Sequence, residues 1–406
     1  MSSILEGIKV IDLSQIAAVP MCARFLGDFG ADVIHIENPV ASDTFRELGA
    51  RFAKDTGRTP EVNSDWENYN RNKRGLTLDI SREGGREILY KLVEDSDIFL
   101  TNLRPYEIEK FKLEYDILSK INPGLIYGSL NGYGKNGPEK NEPGYDFSSY
   151  WARSGIANKV PHYGSPPDLP PSSFGDNIAG LLMVIGVMMA LRIRDKTGIG
   201  QEIDISLFQT GVYHLSWELC GTIISGQNHE NRLLRSKRDT PNPLLKTYRT
   251  KDDRWILLVC LVPDRYWSRF CQAIGRQDLE NDPMFNSTSA RTRNSATLIH
   301  ILEEIFLTKT LAEWKPIFKG LPFDAVQNNI EAVNDPQAIA NNFFVDYEHP
   351  IYGPIKVVAN PINLSKTPAS LRLPAPEFGQ HSEEILIGLG YTWEDIVSFK
   401  EQGIIA

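Results

Sequence analysis

A carboxylate, Asp176, stands in "FGDNIAGLLMVIG" (174–186), at the mouth of an apolar run from Ile178 to Leu191 that ends at Arg192. Two roles follow from that placement. An aspartate beside a helix start is a common cap that accepts backbone N–H bonds. A helix N-terminus also keeps a carboxylate ionised and presents it as a nucleophile. Such an aspartate can attack a thioester, because the anhydride it forms is reactive enough for a thiolate to reopen.

Other residues suggest what such a nucleophile would meet. Tyr133 in "NGYG" and Tyr145 in "PGYD" follow glycines near expected strand ends, where open α/β sheets bind their ligands. Tyr150, Trp151, Tyr213 and Trp217 suit an acyl pocket as well as a core. Lys73 and Arg74 in "NRNKRG", Arg104 in "NLRP" and Lys110 are cations near strand ends or the loops that follow. Singly each reads as solvated surface, and together they would hold the phosphates of a coenzyme.

The elements that must position these groups alternate. "IKVIDLS" (8–14) is β-rich, "AAVPMCARFLGDFG" carries Pro20 in a first helical turn, and "ADVIHIE" (31–37) is a second strand. The rhythm continues with strands at 75–80, 97–102, 124–134 and 201–207, and with helices between them. This predicts an α/β fold, a Rossmann-like doubly wound parallel sheet. A dinucleotide is not expected, because the first turn reads "SQIAAVP" and lacks GxGxxG, although Glu37 sits where a ribose-binding acid would. One long helix is expected over 208–225. A hairpin over 242–262, turning at Lys251 to Arg254, then opens a smaller α+β region with helices near 264–275, 289–308 and 310–319. The expected division is 1–210 for the large domain, 211–225 for a linker, 226–325 for the small domain and 326–406 for a returning segment. In that last segment "TWED" (392–395) has capping-box form.

At 406 residues, 41% hydrophobic and 23% charged, the chain suits a globular protein of two or three domains. A net charge of -9 argues against a nucleic-acid surface. The N-terminus has no secretory pattern, and the apolar run is shorter than the roughly 18 residues of a membrane span, so a cytoplasmic protein without membrane contact is expected. The 4 cysteines read as reduced core residues and the 7 histidines are scattered, so no metal site is expected.

Taken together, "LEGIKVIDLSQIAAVPMCARFLGDFGADVIHIE", "NRNKRGLTLDI", "DIFLTNLRP", "GYGKNGP", "PGYDFSSYWARSG", "FGDNIAGLLMVIGVMMAL", "KTGIGQEIDISLFQT" and "GQHSEEILIGLGYTWEDI" resemble the class III coenzyme A transferases of CaiB/BaiF type. The likeness is greatest to the branch acting on (R)-2-hydroxy acids such as 2-hydroxyisocaproate and phenyllactate. It implies a small-molecule acyl-CoA and a carboxylic acid as partners, no tightly bound cofactor, and an interlocked homodimer. It places the family's catalytic aspartate on Asp176. From position alone, the backbone amides near that helix start are available to oxyanions. Coenzyme contacts are implied at Gln15, Ile16, Ala17 and Ala18, and on the adenine side at Leu76, Asn102 and Leu103. Asn131 and Tyr133, with the cations above, complete that set. Family arginines align with Lys110 and with Asn38, the second of which loses the charge. The glutamine of the formyl-CoA members aligns with Ala17, which disfavours formate and oxalate.

The nearest alternative is an α-methylacyl-CoA racemase, whose "GHD" stands here as "GYD". A tyrosine, with an ordinary pKa of about 10, is a poor base at neutral pH. A noncatalytic coenzyme A binding subunit of a heteromer is a further alternative, disfavoured by the presence of Asp176.

Overall fold

The computed structural model describes residues 3–53, 63–160, 166–227 and 240–406. Two compact units divide them. One gathers Met1–Ile156, Leu169–Ser216 and Ile339–Ala406, and the other Ala157–Asp168 and Trp217–Ala338.

The first unit alternates strand and helix: β1 (Lys9–Leu13), α1 (Ala18–Asp28), β2 (Asp32–Glu37), α2 (Thr44–Ala53), α3 (Ser64–Asn70), β3 (Lys73–Thr77), α4 (Glu83–Glu94) and β4 (Ile98–Thr101). After it come α5 (Pro105–Phe111), α6 (Tyr115–Ile121), β5 (Ile126–Asn131), a π-helical turn (Asp146–Ala152), α7 (Phe174–Thr197), β6 (Glu202–Ser206) and α8 (Leu207–His214). The sheet runs β3-β2-β1-β4-β5-β6 with every pair parallel. Val10 and Ile11 of β1 and Ile98, Phe99 and Leu100 of β4 are buried, as central parallel strands covered on both faces must be. Strand order reverses between β1 and β4, which opens a crevice at their carboxyl ends.

Polar burial in this sheet is concentrated on Asp12. Its carboxylate takes Lys73 Nζ and His35 Nδ1, both at 2.8 Å. Burial pushes its pKa up, but Lys73 and His35 overcome this and hold it well below the usual carboxylate range.

The apolar run becomes α7, which Gly198 ends in the left-handed conformation at φ 72°. Its buried side carries Ala179, Gly180 and Met183. A Cβ on Gly180 would collide with the Ala18 carbonyl and Met21, so only glycine lets α7 approach the start of α1 this closely. Among the described residues α7 alone has the length and composition of a membrane span, which the uninterrupted apolar run understated. Yet 44% of its apolar window is buried in the protein, as in a core helix.

The second unit holds α9 (Ser216–Ser225), β7 (Leu245–Arg249), β8 (Trp255–Val259), α10 (Pro263–Ala273), α11 (Thr288–Arg293), α12 (Ser295–Phe306), α13 (Leu311–Ile317), β9 (Phe323–Ala325), α14 (Asn329–Val333) and most of α15 (Pro336–Ala340). Its strands form an antiparallel sheet, β7-β8-β9, over a core that includes Tyr248, Phe306, Trp314 and Phe318. The chain then returns to the first unit as an antiparallel pair, β10 (Phe344–His349) and β11 (Gly353–Val358), and as α16 (Ser382–Gly388) and α17 (Trp393–Glu401). Ile385, Leu386 and Ile396 join the cluster of Ile11, Leu76 and Phe99. Thr392 and Asp395 cap α17 reciprocally, as "TWED" predicts.

Four expectations change. The helix expected over 208–225 breaks at Leu215 into α8 and α9, and the one over 289–308 breaks at Asn294 into α11 and α12. The strand expected at 75–80 starts at Lys73, because the buried Asp12 draws the lysine into the sheet. Cys220 is exposed, whereas Cys22, Cys260 and Cys271 are buried.

Candidate active site

The crevice between β1 and β4 deepens into a cleft of about 340 Å³. Gln15, Ile16, Ala17 and Ala18 contribute from the β1–α1 connection, and Asn102, Leu103 and Arg104 from the residues after β4. Asn131 ends β5 on the same wall, and Tyr145, Asp146 and Asp176 complete it. Parallel strands deliver these segments to one edge, because each strand's carboxyl end points the same way.

Asp176 does not cap α7. The N-cap residue is Ser173, in the left-handed conformation at φ 59°, and its side chain makes no capping bond. Asp146 reaches across from the π-helical turn instead: its Oδ1 accepts the Gly175 N–H at 2.8 Å, and the neighbouring amides of Phe174 and Asp176 favour the charge of the same carboxylate. The second oxygen of Asp146 is buried without a hydrogen-bond partner among the described residues. Asp146, which the sequence reading passed over, therefore fills the cap role considered for Asp176. The "PGYD" motif held the signal, but nothing local ties it to a helix starting nearly thirty residues on.

This arrangement inverts the expected electrostatics of Asp176. The helix start was expected to hold the carboxylate ionised, but the first-turn amides are taken by Asp146. Burial pushes the Asp176 pKa up to about 7, and the negative charge of Asp146 adds to the rise. Asp176 is half-buried and open to the cleft. Protein nonetheless fills most of the space around it, and that crowding withholds solvation.

Helix α1 supplies what α7 does not. Its N-cap, Ala17, makes no side-chain cap bond, and its first turn has no acidic residue. The first amides of a helix lack intrahelical acceptors, so an uncapped N-terminus beside a cleft favours an anion or an oxyanion there.

Several expected site residues stand elsewhere. Lys73 is wholly buried, with its ammonium bonded to Asp12 and Asn70. Arg74 pairs with Asp32 and Glu384. The Asn38 oxygen accepts from Val40 N and Ala41 N in its own turn, and Leu76 is a core residue. Lys110 is exposed and Tyr133 lies within reach of the Arg153 guanidinium, and neither lines the cleft. Tyr150 is fully buried, with its hydroxyl on His214 Nδ1, and Trp151 is buried beside it in the sequence. Tyr213 is 72% exposed, and Trp217, in the second unit, 90%. The aromatic set expected as one acyl pocket is therefore dispersed, with only Tyr145 on the cleft.

Known proteins share this fold and sequence pattern. The family model "CoA-transferase family III" matches residues 5–382. The chain is 35% identical to (R)-2-hydroxy-4-methylpentanoate CoA-transferase of Clostridioides difficile over 404 residues, 99% of either chain. It is 31% identical to cinnamoyl-CoA:phenyllactate CoA-transferase of Clostridium sporogenes, covering 97% of this chain and 95% of that one. The crystal structure of a CaiB/BaiF family protein from Brucella suis superposes with a TM-score of 0.79 at 28% identity, over 96% of this chain and 100% of that one. A six-stranded parallel sheet with a cleft at its switch point, in a chain that the family's model matches over nearly its whole length, makes this protein a member of CoA-transferase family III.

Proposed function

We propose that this enzyme moves coenzyme A from an acyl-CoA donor to a 2-hydroxy acid, with Asp176 as the acyl-carrying nucleophile. The observation that carries the reading is the Asp176 carboxylate itself, set in the wall of the cleft at the helix start that Asp146 caps. In the ionised form it is poorly solvated, and a desolvated carboxylate is the stronger nucleophile.

The cycle balances with the groups at hand. Asp176 attacks the thioester carbonyl, a C–O bond forms as the C–S bond breaks, and CoA leaves as a thiolate. The thiolate attacks the aspartyl carbonyl of the anhydride, releasing the donor carboxylate and leaving an aspartyl-CoA thioester. An incoming carboxylate reverses both steps and departs as the new acyl-CoA. Carboxylates and thiolates serve as nucleophile and leaving group in turn, so the electron count needs no redox partner. The uncapped start of α1 suits the developing oxyanion or the coenzyme phosphates. The two relatives named for 2-hydroxy-4-methylpentanoate and phenyllactate favour a medium-sized 2-hydroxy acid as acceptor.

Incubation with one CoA donor and a panel of carboxylates, read by mass spectrometry of the CoA esters, tests this. New esters of 2-hydroxy acids are expected. Absence of any new ester, with solvent deuterium appearing at the α-carbon of the donor, would replace transfer by racemisation. Hydroxylamine supplied together with acyl-CoA is expected to inactivate the enzyme by capturing the aspartyl thioester, and hydroxylamine alone to leave it active.

Gly175 gives a sharper handle on the geometry. A Cβ there would run into the Tyr150 ring and the Asp146 carboxylate, so Gly175→Ala must push the start of α7 away from its cap. A displacement near 1 Å at a nucleophile costs about 100-fold in rate. Gly175→Ala is therefore expected to lose that much kcat while its circular dichroism is unchanged.

A dimer belongs to the same proposal. Ile185, Met189 and Ile193 on α7, and separately Trp217, Ile223 and Ile224 on α9, are exposed. Apolar surface on this scale favours a partner subunit, and light scattering at twice the chain mass is expected.

A further inference from the structure

Ile16 lines the cleft with its backbone in the left-handed region, at φ 70°. For a β-branched residue that conformation is a steric outlier. Strain of this kind persists only where the surroundings over-determine it, and it gathers at ligand-binding positions.

Two side chains from different parts of the sheet do the holding. Asn102, directly after β4, closes both backbone groups of Gln15: its Oδ1 accepts from Gln15 N at 3.1 Å and its Nδ2 donates to the Gln15 carbonyl at 2.7 Å. Both ends of the Asn102 amide are thus engaged across the crevice between β1 and β4. Asp43, which follows β2 and is 1% exposed, accepts the Ile16 N–H at 3.0 and 3.3 Å.

Asp43 is itself fixed. Its N–H donates to Glu37 Oε1 at 3.1 Å, and its Oδ1 accepts from Phe45 N at 2.8 Å. Glu37 in turn takes both Nε and Nη2 of Arg46, at 2.8 and 2.7 Å. The turn is therefore gripped from β4 on one side and from β2 on the other. What it positions follows directly in the chain: Ala17 and Ala18, the uncapped start of α1, on the same cleft.

We infer that Asn102 and Asp43 are positioning residues for acyl-CoA: they hold the Gln15–Ile16 turn in a conformation its own backbone disfavours, and so seat Gln15 and the first amides of α1 against the coenzyme. This rests on the transferase reading above. It gives Asn102 a task through the loop in place of direct contact with adenine, and gives Asp43 a task where sequence reading saw none.

Steady-state kinetics with acyl-CoA as the varied substrate test it, using Asp43→Ala, Asp43→Asn, Asn102→Ala, and the two alanine variants combined with Ile16→Gly. Releasing either grip lets the turn relax. If about a tenth of the molecules then hold the competent form, KM for acyl-CoA rises about tenfold while kcat changes little. Asp43→Asn keeps an acceptor oxygen for Ile16 N and should stay near wild type. Glycine adopts positive φ without steric cost, so Ile16→Gly should restore much of the lost KM in both alanine backgrounds. A merely structural role for the two side chains would not give that recovery. KM unchanged in Asn102→Ala and Asp43→Ala, or raised equally with and without Ile16→Gly, would overturn the inference. Should Asp43→Ala fail to fold, the half-buried Asn102→Ala and its Ile16→Gly pair decide alone. Wild-type enzyme that transfers no CoA would remove the transferase reading and this one with it, whereas active wild type with unmoved variants removes only this one.

Discussion

Asp176→Ala is expected to lower kcat for CoA transfer by about four orders of magnitude or more, with the fold intact. Of the other carboxylates that line the cleft among the described residues, Glu142 is exposed and well solvated, and the other two are already engaged. Asp146 is committed to the first amides of α7, and Glu107 accepts from the backbone and side chain of Arg104. A variant within tenfold of wild type would end the covalent mechanism.

Asp176→Asn, nearly isosteric, adds a second readout that needs no substrate. In the folded chain Asp176 keeps its proton up to about pH 7, whereas an unfolded aspartate loses it near pH 3.9, about the reference value. The unfolded state therefore binds fewer protons between those values, and stability falls as pH rises through that window. Above pH 7 the carboxylate costs the fold up to about 4 kcal/mol. Asp176→Asn should accordingly melt higher than wild type at pH 8 and level with it near pH 4. A wild type that melts higher at pH 8 would mean that the carboxylate is well solvated or paired, against the burial argument. Functional carboxylates are commonly held at such a cost to stability.

The same protonation sets the second large effect. Nucleophilic attack needs the carboxylate, so kcat/KM should fall about tenfold per pH unit below the Asp176 pKa and level off above it. At pH 5 the enzyme would then run at about a hundredth of its plateau. Asp146→Asn separates the two causes of the raised pKa. The amide keeps an oxygen for the Gly175 N–H and so retains a cap for α7, while the repelling charge disappears. The acid limb should therefore move to lower pH, and near pH 5.5 the variant should outpace wild type by about threefold or more. A limb that stays in place would assign the whole rise to burial. A limb that moves up would show that Asp146 helps to ionise its neighbour, contrary to the like-charge argument.

How much of this could be read without coordinates differs from group to group. The loop "SQIAAVP" could be placed between strand and helix because β-branched runs and helical turns alternate around it, and parallel strands then bring it beside "TNLRP". What that loop does with its backbone could not be read: the left-handed Ile16 depends on Asp43 and Asn102, far away in sequence. Lys73 and Arg74 show the opposite failure. Adjacent cations near a strand end read as a phosphate site, yet alternation along β3 turns Lys73 inward to a buried carboxylate and Arg74 outward to Asp32 and Glu384. The dispersed aromatics fail for a similar reason, since nothing in the spacing of Tyr150 and Tyr213 tells which faces a cleft and which faces solvent.

The sequence by itself determined the order of strands and helices, the family motifs and the carboxylate in question, because each is a pattern of neighbouring residues. Only the tertiary structure decided that carboxylate's state. Asp176 was expected to be an ionised residue at a helix start, and it is instead a crowded acid titrating near neutrality beside a second acid that took its amides. Desolvation and charge repulsion act through space, and the groups that exert them here come from segments the chain keeps apart.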